Sequence, residues 1–398
     1  MIWVANFLLI VSFSLLLIPT GMIFLETLLA RPKRERLPAP PEGARCVLLV
    51  PAHNEAAGLG ATLERLKTQA LATDILVVAD NCDDDTAALA RAAGVEVIER
   101  DNAEQRGKGY ALHFGVQHLT QNPPDFVLII DADCDLVAGS RDILVATAAA
   151  TGLPVQARYE MERPSTETDE GSTGQIISEF AWAVMNIVRK QGLHRLGAPT
   201  RMNGTGMCLP WAAIGAANLN HGHLVEDLVM GLELSTKGFA GVYCDAAIVR
   251  SVFPVKAEGE MTQRQRWEHG TLQVMAEWGP RLALKVIKKP SLKTAAQFAD
   301  LTIPPVTILL GLVLAACVIG GLFWGFTGLA TPLGLALVAL VLCLLGLIIA
   351  YSKIRHNLSG AIRLTALIQF VGLKLKVYNP AKKGNGWVRT SRDDGNSS

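Results

Sequence analysis

Two aspartates spaced two apart, Asp131 and Asp133, close the apolar run Phe126-Val127-Leu128-Ile129-Ile130. On a continuing strand, residues two apart share a face. Two hard carboxylates so placed suit Mg2+ or Mn2+ and, through the metal, a diphosphate. An acidic turn after a strand is the ordinary alternative for the same residues. A second acidic pair, Glu226-Asp227, opens the helical stretch Leu228–Thr236. Acids at a helix start also complement its dipole, which requires no chemistry. Gln263-Arg264-Gln265-Arg266-Trp267 sets two guanidiniums and an indole side by side. That set can bind phosphate and stack on a sugar, and a solvated helix face has the same composition. Asn203-Gly204-Thr205-Gly206-Met207 is a glycine-rich turn, either a plain one or one that lets backbone approach a substrate.

The elements around these groups alternate. Cys46–Pro51 reads as a strand that stops at Pro51-Ala52-His53-Asn54-Glu55, and Ala57–Gln69 as a helix. Asp74–Ala79 reads as a strand ending at Asp80, followed by a helix at Thr86–Ala93 and a strand at Val95–Ile98. Arg106-Gly107-Lys108-Gly109 precedes a helix at Tyr110–Leu119, and the strand at Phe126–Ile130 follows. Arg158–Thr173 reads as a polar surface loop, Ile176–Arg189 as a helix and Gly241–Ser251 as a last strand. Strands alternating with helices predict an α/β domain with a parallel sheet and crossover connections. Ligands of such sheets sit beyond the carboxyl ends of the strands, where Asn54, Glu55, Asp80 and Asp131 lie.

Half of the 398 residues are hydrophobic, and the mean hydropathy is +0.30. That is too apolar for an ordinary soluble enzyme and too polar for a chain made mostly of membrane helices. Three stretches are long enough to span a bilayer: Ile2–Leu25, Ile303–Phe326 and Leu333–Tyr351. Arg31, Lys33, Arg34 and Arg36 follow the first, and Lys353, Arg355 and Arg363 the last. The positive charge falls on the side of the α/β domain, so that domain is expected in the cytoplasm of a multi-pass plasma (inner) membrane protein. A signal peptide would carry its charge first and a shorter apolar core. Ala361–Leu373 is short and carries Arg363, which fits an interfacial segment better than a span. Arg281, Lys285, Lys288, Lys289 and Lys293 lie among apolar residues, as on a helix at an anionic membrane surface. A net charge of +1 gives no sign of a nucleic-acid partner. Seven scattered cysteines with no Cys-x-x-Cys pair argue against zinc and against a disulfide framework. The expected organisation is a transmembrane helix at 1–30, a basic and Pro-containing linker at 31–44 and the α/β domain at 45–262. An interfacial segment at 263–300, spans at 303–326 and 333–351, and a cytoplasmic segment and tail at 352–398 complete it.

Taken in order, these motifs resemble the membrane-integrated glycosyltransferases of family 2, the group of the cellulose, chitin, hyaluronan and poly-N-acetylglucosamine synthases. The resemblance covers about residues 45–275, the helix arrangement and the ending Trp387-Val388-Arg389-Thr390-Ser391-Arg392. It implies a GT-A type nucleotide-diphospho-sugar transferase domain with N- and C-terminal transmembrane helices. Pro51, Asn54 and Glu55 look like the first nucleotide-binding strand end, and Asp80 like the nucleoside-contacting acid. Lys108 is implied near the nucleotide or diphosphate. Asp131-Ala132-Asp133 looks like the metal motif for Mg2+ or Mn2+, with Asp131 also near the ribose. Glu226-Asp227 looks like the pair whose aspartate is the catalytic base. Gln263, Arg264, Arg266 and Trp267 fall in the Gln-(Gln/Arg)-x-Arg-Trp signature that serves diphosphate and acceptor.

Two positions depart from the family pattern: Ala79 stands where a second aspartate is common, and His53 where an aromatic is common. Three spans are also few beside cellulose synthase and closer to the smaller chitin-oligosaccharide synthases. The implied function is inverting transfer of a sugar from a UDP-sugar to a saccharide or lipid-linked acceptor at the cytoplasmic membrane face, in exopolysaccharide or cell-envelope glycan synthesis, with export partners. Alternatives are a polyprenyl-phosphate sugar transferase, which needs no Gln-Arg-Gln-Arg-Trp segment, and a non-enzymatic membrane assembly subunit. A transporter fits least, because the two C-terminal stretches carry no ionisable residue.

Overall fold

Apolar runs too short for helices become buried strands, and the amphipathic stretches between them become the crossover helices. A computed structural model describes residues 1–32, 39–163, 173–254, 257–356 and 358. The chain opens with α1 (Ile2–Leu29). Then come β1 (Cys46–Ala52), α2 (Ala56–Lys67), β2 (Ile75–Asp80), α3 (Thr86–Ala92), β3 (Glu96–Arg100), α4 (Lys108–Leu119) and β4 (Phe126–Ile129). A two-residue β5 (Asp135–Leu136), α5 (Ser140–Thr151), β6 (Val155–Glu162), α6 (Thr173–Ala183), α7 (Arg189–Arg195), β7 (Met207–Pro210) and α8 (Trp211–Ala216) follow. The chain continues through α9 (Glu226–Thr236), β8 (Val242–Val252), α10 (Ala257–Lys288), α11 (Leu292–Leu301), α12 (Val306–Thr327) and α13 (Thr331–Ile354).

Two compact units emerge. Among the described residues, one comprises 32, 39–163, 199–254 and 257–270; the other 1–31, 173–198, 271–356 and 358.

The first unit holds an eight-stranded sheet of order β3-β2-β1-β4-β7-β6-β8-β5. β3, β2, β1 and β4 are parallel, with Leu48 opposite both Ile75 and Leu128. The chain order reverses between β1 and β4, so the crevice beyond their carboxyl ends is the switch point where such sheets take ligands. Val47, Leu49, Leu76, Val78, Val127 and Ile129 form the core beneath that crevice.

The sheet is mixed rather than parallel. β7 runs antiparallel to β4 and β6, and β5 antiparallel to β8. The expected surface loop from Arg158 is a further correction, since Arg158–Glu162 belongs to β6. Ala157, Tyr159 and Met161 point inward in alternation with Arg158, Glu160 and Glu162. Glu160 is not simply solvated, because it pairs with Arg158 at 2.7 Å and with Arg250 of β8 at 3.0 Å. Lys108 was expected just before its helix and is instead the first residue of α4.

Among the described residues, three helices are long and apolar enough to cross a membrane, and the second unit contains them: α1, α12 and α13. Met22, Ile23, Leu309, Val313, Ala339 and Cys343 join them in one apolar cluster. α1 runs four residues past the expected span and thereby includes Glu26, which is wholly buried. The Arg189 guanidinium meets it, with Nε donating to Glu26 at 2.6 Å and Nη2 donating to Asp300 of α11 at 2.6 Å. A π-helical turn, Val184–Val188, leads directly into Arg189. Buried charges persist only when paired in this way, and removing one partner of such a group costs about 3–5 kcal/mol. Ala361–Leu373 and Trp387–Arg392 lie outside the described residues.

Candidate functional site

The strand ends set the positions of the chemistry-bearing side chains. At the end of β1, Asn54 adopts a left-handed backbone with φ 55°. Its side-chain oxygen accepts the Asp83 amide at 2.7 Å, which joins this strand end to the turn after β2. Pro51 is the penultimate residue of β1, and Glu55 caps the start of α2, its amide donating to Thr86 at 2.8 Å. Asp80 closes β2 and is buried. Arg100, the last residue of β3, donates to it at 2.6 Å. The same guanidinium donates to the Gln105 carbonyl and lies 5.5 Å from the Tyr110 ring centre. His53 Nδ1 sits 2.7 Å from the Asp80 carbonyl oxygen. Asp80 is therefore alone in its motif yet fixed by an arginine that no local signal marks.

Asp131 and Asp133 follow β4. Their carboxylates and the Cys134 thiol lie within 4.8 Å of one another. The Asp131 amide donates to Thr205 Oγ1 at 3.1 Å, and the Cys134 thiol donates to Asp133 Oδ1 at 3.4 Å. Burial pushes the Cys134 thiol up to about 12, so it stays protonated and adds no anion. What remains is a pair of hard carboxylate oxygens. This set fits Mg2+ or Mn2+ with open positions for diphosphate oxygens, and it lacks the thiolates and imidazoles that zinc prefers.

Lys108 reaches this pair from the start of α4. Its ammonium donates to Asp131 and, at 2.7 Å, to the Gly204 carbonyl. Burial works against the charge, but Asp131, Glu226 and Asp227 more than offset it and raise its pKa above the ordinary lysine value. The glycines of the turn before β7 are obligatory. A Cβ on Gly204 (φ 78°) would lie 3.2 Å from Lys108 Nζ and 3.4 Å from Asp227 Oδ2. One on Gly206 (φ 64°) would lie 2.7 Å from Val249. The glycine-rich turn thus belongs to the site, and its backbone sits between the metal motif and the second acidic pair.

Glu226 and Asp227 form the first turn of α9. Asp227 Oδ1 accepts the Leu228 amide at 2.8 Å. Burial first, and then the charge of Asp227, push the Glu226 carboxyl up to about 7. Arg266 acts electrostatically on Glu226, which brings the arginine-tryptophan segment to the same cluster. Gly270 makes that approach feasible, since a Cβ there would fall 2.8 Å from Val225. Gln263 is buried, Arg266 and Trp267 are partly buried, and the side chain of Arg264 lies outside the described ones.

Asp131, Lys108, the Gly204 carbonyl, Glu226 and Asp227 are therefore one cluster. The Asn54–Asp83 and Asp80–Arg100 contacts tie together the neighbouring ends of β1, β2 and β3. Arg100 and Gly270 were not singled out in the sequence.

A family model described as "Glycosyltransferase like family 2" matches residues 43–270, more than half of the chain. The chain belongs to that family. This family 2 glycosyltransferase also shares its fold with a solved mannosyltransferase from Pyrobaculum calidifontis, determined with GDP-Man and Mn2+. The TM-score is 0.52 at 16% identity, over 87% of this chain and 97% of that one. The 4,4'-diaponeurosporenoate glycosyltransferase of Staphylococcus aureus is 34% identical over 89 residues, 22% of this chain. The match spans 23% of that relative, about a quarter of its length. The enzyme is thus a family 2 glycosyltransferase of mixed α/β, GT-A-like fold, with three helices among the described residues long and apolar enough to cross a membrane.

Proposed function

We propose that this enzyme moves a hexose from a UDP-sugar to a hydroxyl of a saccharide or lipid-linked acceptor, with inversion, at the cytoplasmic face of the plasma membrane. The observation that carries the reading is the cluster of Asp131, Lys108, Gly204 and Asp227 beyond the strand ends. It sets the metal-type carboxylate pair and a separate carboxylate, Asp227, about the Lys108 ammonium and the Gly204 backbone. Asp131 and Asp133 would hold a cation, whose charge would offset that building on the leaving diphosphate. Lys108 keeps Asp131 and the Gly204 backbone in register. Arg264 and Arg266 donate to diphosphate oxygens. Asp227 takes the acceptor hydroxyl proton as the new bond forms. Asp80, with Pro51, Asn54 and Glu55, holds the nucleoside. Trp267 offers a face on which the acceptor sugar stacks.

In this reading the product enters exopolysaccharide or cell-envelope glycan synthesis, in company with export partners, as in the synthases that the motifs resemble. A second reading, transfer to a lipid such as a polyprenyl phosphate, is favoured by the small number of candidate spans among the described residues. Incubating membranes with labelled UDP-sugars and GDP-mannose, followed by organic extraction and sizing of the product, separates these. Label from a UDP-sugar in a sized saccharide, free or lipid-linked, supports the first reading, and label confined to a lipid phosphate carrying a single sugar supports the second. Transfer from GDP-mannose alone overturns the choice of UDP.

Two predictions follow from these assignments. Trp267→Ala raises the acceptor KM while leaving UDP affinity by calorimetry unchanged, since a lost aromatic contact costs about 1 kcal/mol or more. Loss of UDP affinity with a normal acceptor KM would move Trp267 to the donor side. For topology, single cysteines introduced near Gly328 into a variant lacking the native ones react with an impermeant reagent in intact cells. Cysteines near Gly384 stay unlabelled, as positive charge on the inner side requires. The reverse pattern overturns the cytoplasmic placement.

A further inference from the structure

Asn81 stands next to Asp80 just beyond β2, and the proposed reaction gives it no role. Its backbone is left-handed, with φ 52°, so its side chain leaves the alternation of the strand. Asp80 and Asn81 both reach the end of β3. Arg100 donates to Asp80 Oδ1 at 2.6 Å, and the Asn102 amide donates to Asn81 Oδ1 at 2.8 Å. The Asn81 amide in turn donates to the Arg100 carbonyl at 2.7 Å.

These contacts fix which atoms remain. A backbone N–H donates only to the oxygen of a carboxamide, so the Asn81 side chain has one orientation. Its Nδ2 is then a donor in a set place, buried and without an acceptor. A buried donor left unpaired is costly, and the turn itself does not need one, since glycine fits this φ as well. Arg100 takes Oδ1 of Asp80 and leaves Oδ2 as an acceptor beside that donor. Gln105, which is exposed, closes the corner. Its Oε1 accepts from Arg100 Nη2 at 3.1 Å and lies 3.5 Å from Asn102 Nδ2, so it is the movable group that a ligand entering here displaces. An acceptor beside a donor complements an N–H beside a C=O. Uracil presents that pair at N3 and O4, and guanine at N1 and O6. Cytosine and adenine present the reverse, a bare ring nitrogen beside an amino group.

We propose that Asn81 selects the nucleobase of the donor: its Nδ2 donates to a base carbonyl while Asp80 accepts the neighbouring ring N–H. Uracil and guanine are admitted, and cytosine and adenine are rejected. An amino base would set N–H against Nδ2 and a lone pair against the Asp80 carboxylate. A site built on hydrogen bonds rejects such a mismatch strongly. The proposal rests on reading the enzyme as a nucleotide-sugar transferase with Asp80 at the nucleoside. It adds a specificity-determining residue that the catalytic and metal motifs do not contain.

Calorimetry of the full chain with Mn2+ and, in turn, UDP, GDP, CDP and ADP tests this. The wild type binds UDP or GDP about a hundredfold more tightly than CDP and ADP. Asn81→Asp keeps an oxygen for the Asn102 amide and tolerates the left-handed backbone, but it presents an acceptor where the donor was. It lowers UDP affinity about tenfold and shrinks the preference for UDP over CDP by a similar factor. Asn81→Gly, which also suits this backbone, shrinks the preference too, so the test does not hang on the folding of one variant. A purely structural Asn81 would weaken all four nucleotides alike. An unchanged UDP-to-CDP ratio in a folded variant therefore overturns the proposal. A wild type that binds CDP or ADP as tightly as UDP and GDP also overturns it and leaves the nucleotide-sugar reading intact. A wild type that binds none of the four overturns that reading and this proposal together.

Discussion

Asp227→Asn gives a folded enzyme that binds UDP with a divalent cation and transfers almost no sugar. Two readings of Asp227 compete, and they fail differently. As a dipole complement at the start of α9, its charge contributes under about 1 kcal/mol, and asparagine serves nearly as well. As a general base it accepts a proton that asparagine cannot accept, and such a loss costs roughly 10²–10⁴-fold in rate. The position favours the second reading, because Asp227 lies against Gly204 on the side facing Lys108. Donor affinity survives, since the nucleoside is assigned to the ends of β1 and β2. Single-turnover transfer of labelled sugar and UDP calorimetry on the same preparation check both halves. Near-normal turnover would move the role to Glu226. That carboxyl, pushed up to about 7 by burial and by Asp227, has a pKa suited to accepting a proton at neutral pH.

Asp133→Asn abolishes transfer and weakens Mn2+-supported UDP binding. The carboxylate of its neighbour Asp131 already accepts from Lys108. The Asp133 carboxylate accepts from the Cys134 thiol, a weak donor, and completes the pair of hard oxygens. A neutral amide is a poor substitute for a hard anionic ligand. Paramagnetic resonance of titrated Mn2+ measures the loss directly, without reference to turnover. Full wild-type activity in excess chelator would overturn the metal assignment.

The strands that frame the crevice were legible because they are continuous apolar runs. β1, β2 and β4 fall within a residue or two of where their sequences put them. β6 was not legible. Its inward set is Ala157, Tyr159 and Met161, and its outward set is wholly charged, so polarity masked the alternation. What makes that outer face stable is Arg250 across the sheet, about ninety positions away. Arg100 was hidden for the same reason, since its reason for being there is Asp80 on a neighbouring strand. The acidic and arginine-tryptophan motifs were visible as residues. Their roles came from resemblance, and their convergence on Lys108 and Gly204 came from the fold. The spans were visible by length and hydropathy. The charge carried by the first one was missed because Glu26 lies just past the last strictly apolar residue.

Glu26, Arg189 and Asp300 are separated by 163 and then 111 positions, which orders their arrival during synthesis. At ordinary elongation rates Arg189 follows Glu26 by roughly ten to thirty seconds. Through that interval the first helix carries an acid with no guanidinium to meet it. The first helix therefore cannot reach its final packing until α7 has been made, and the triad closes only when α11 has followed.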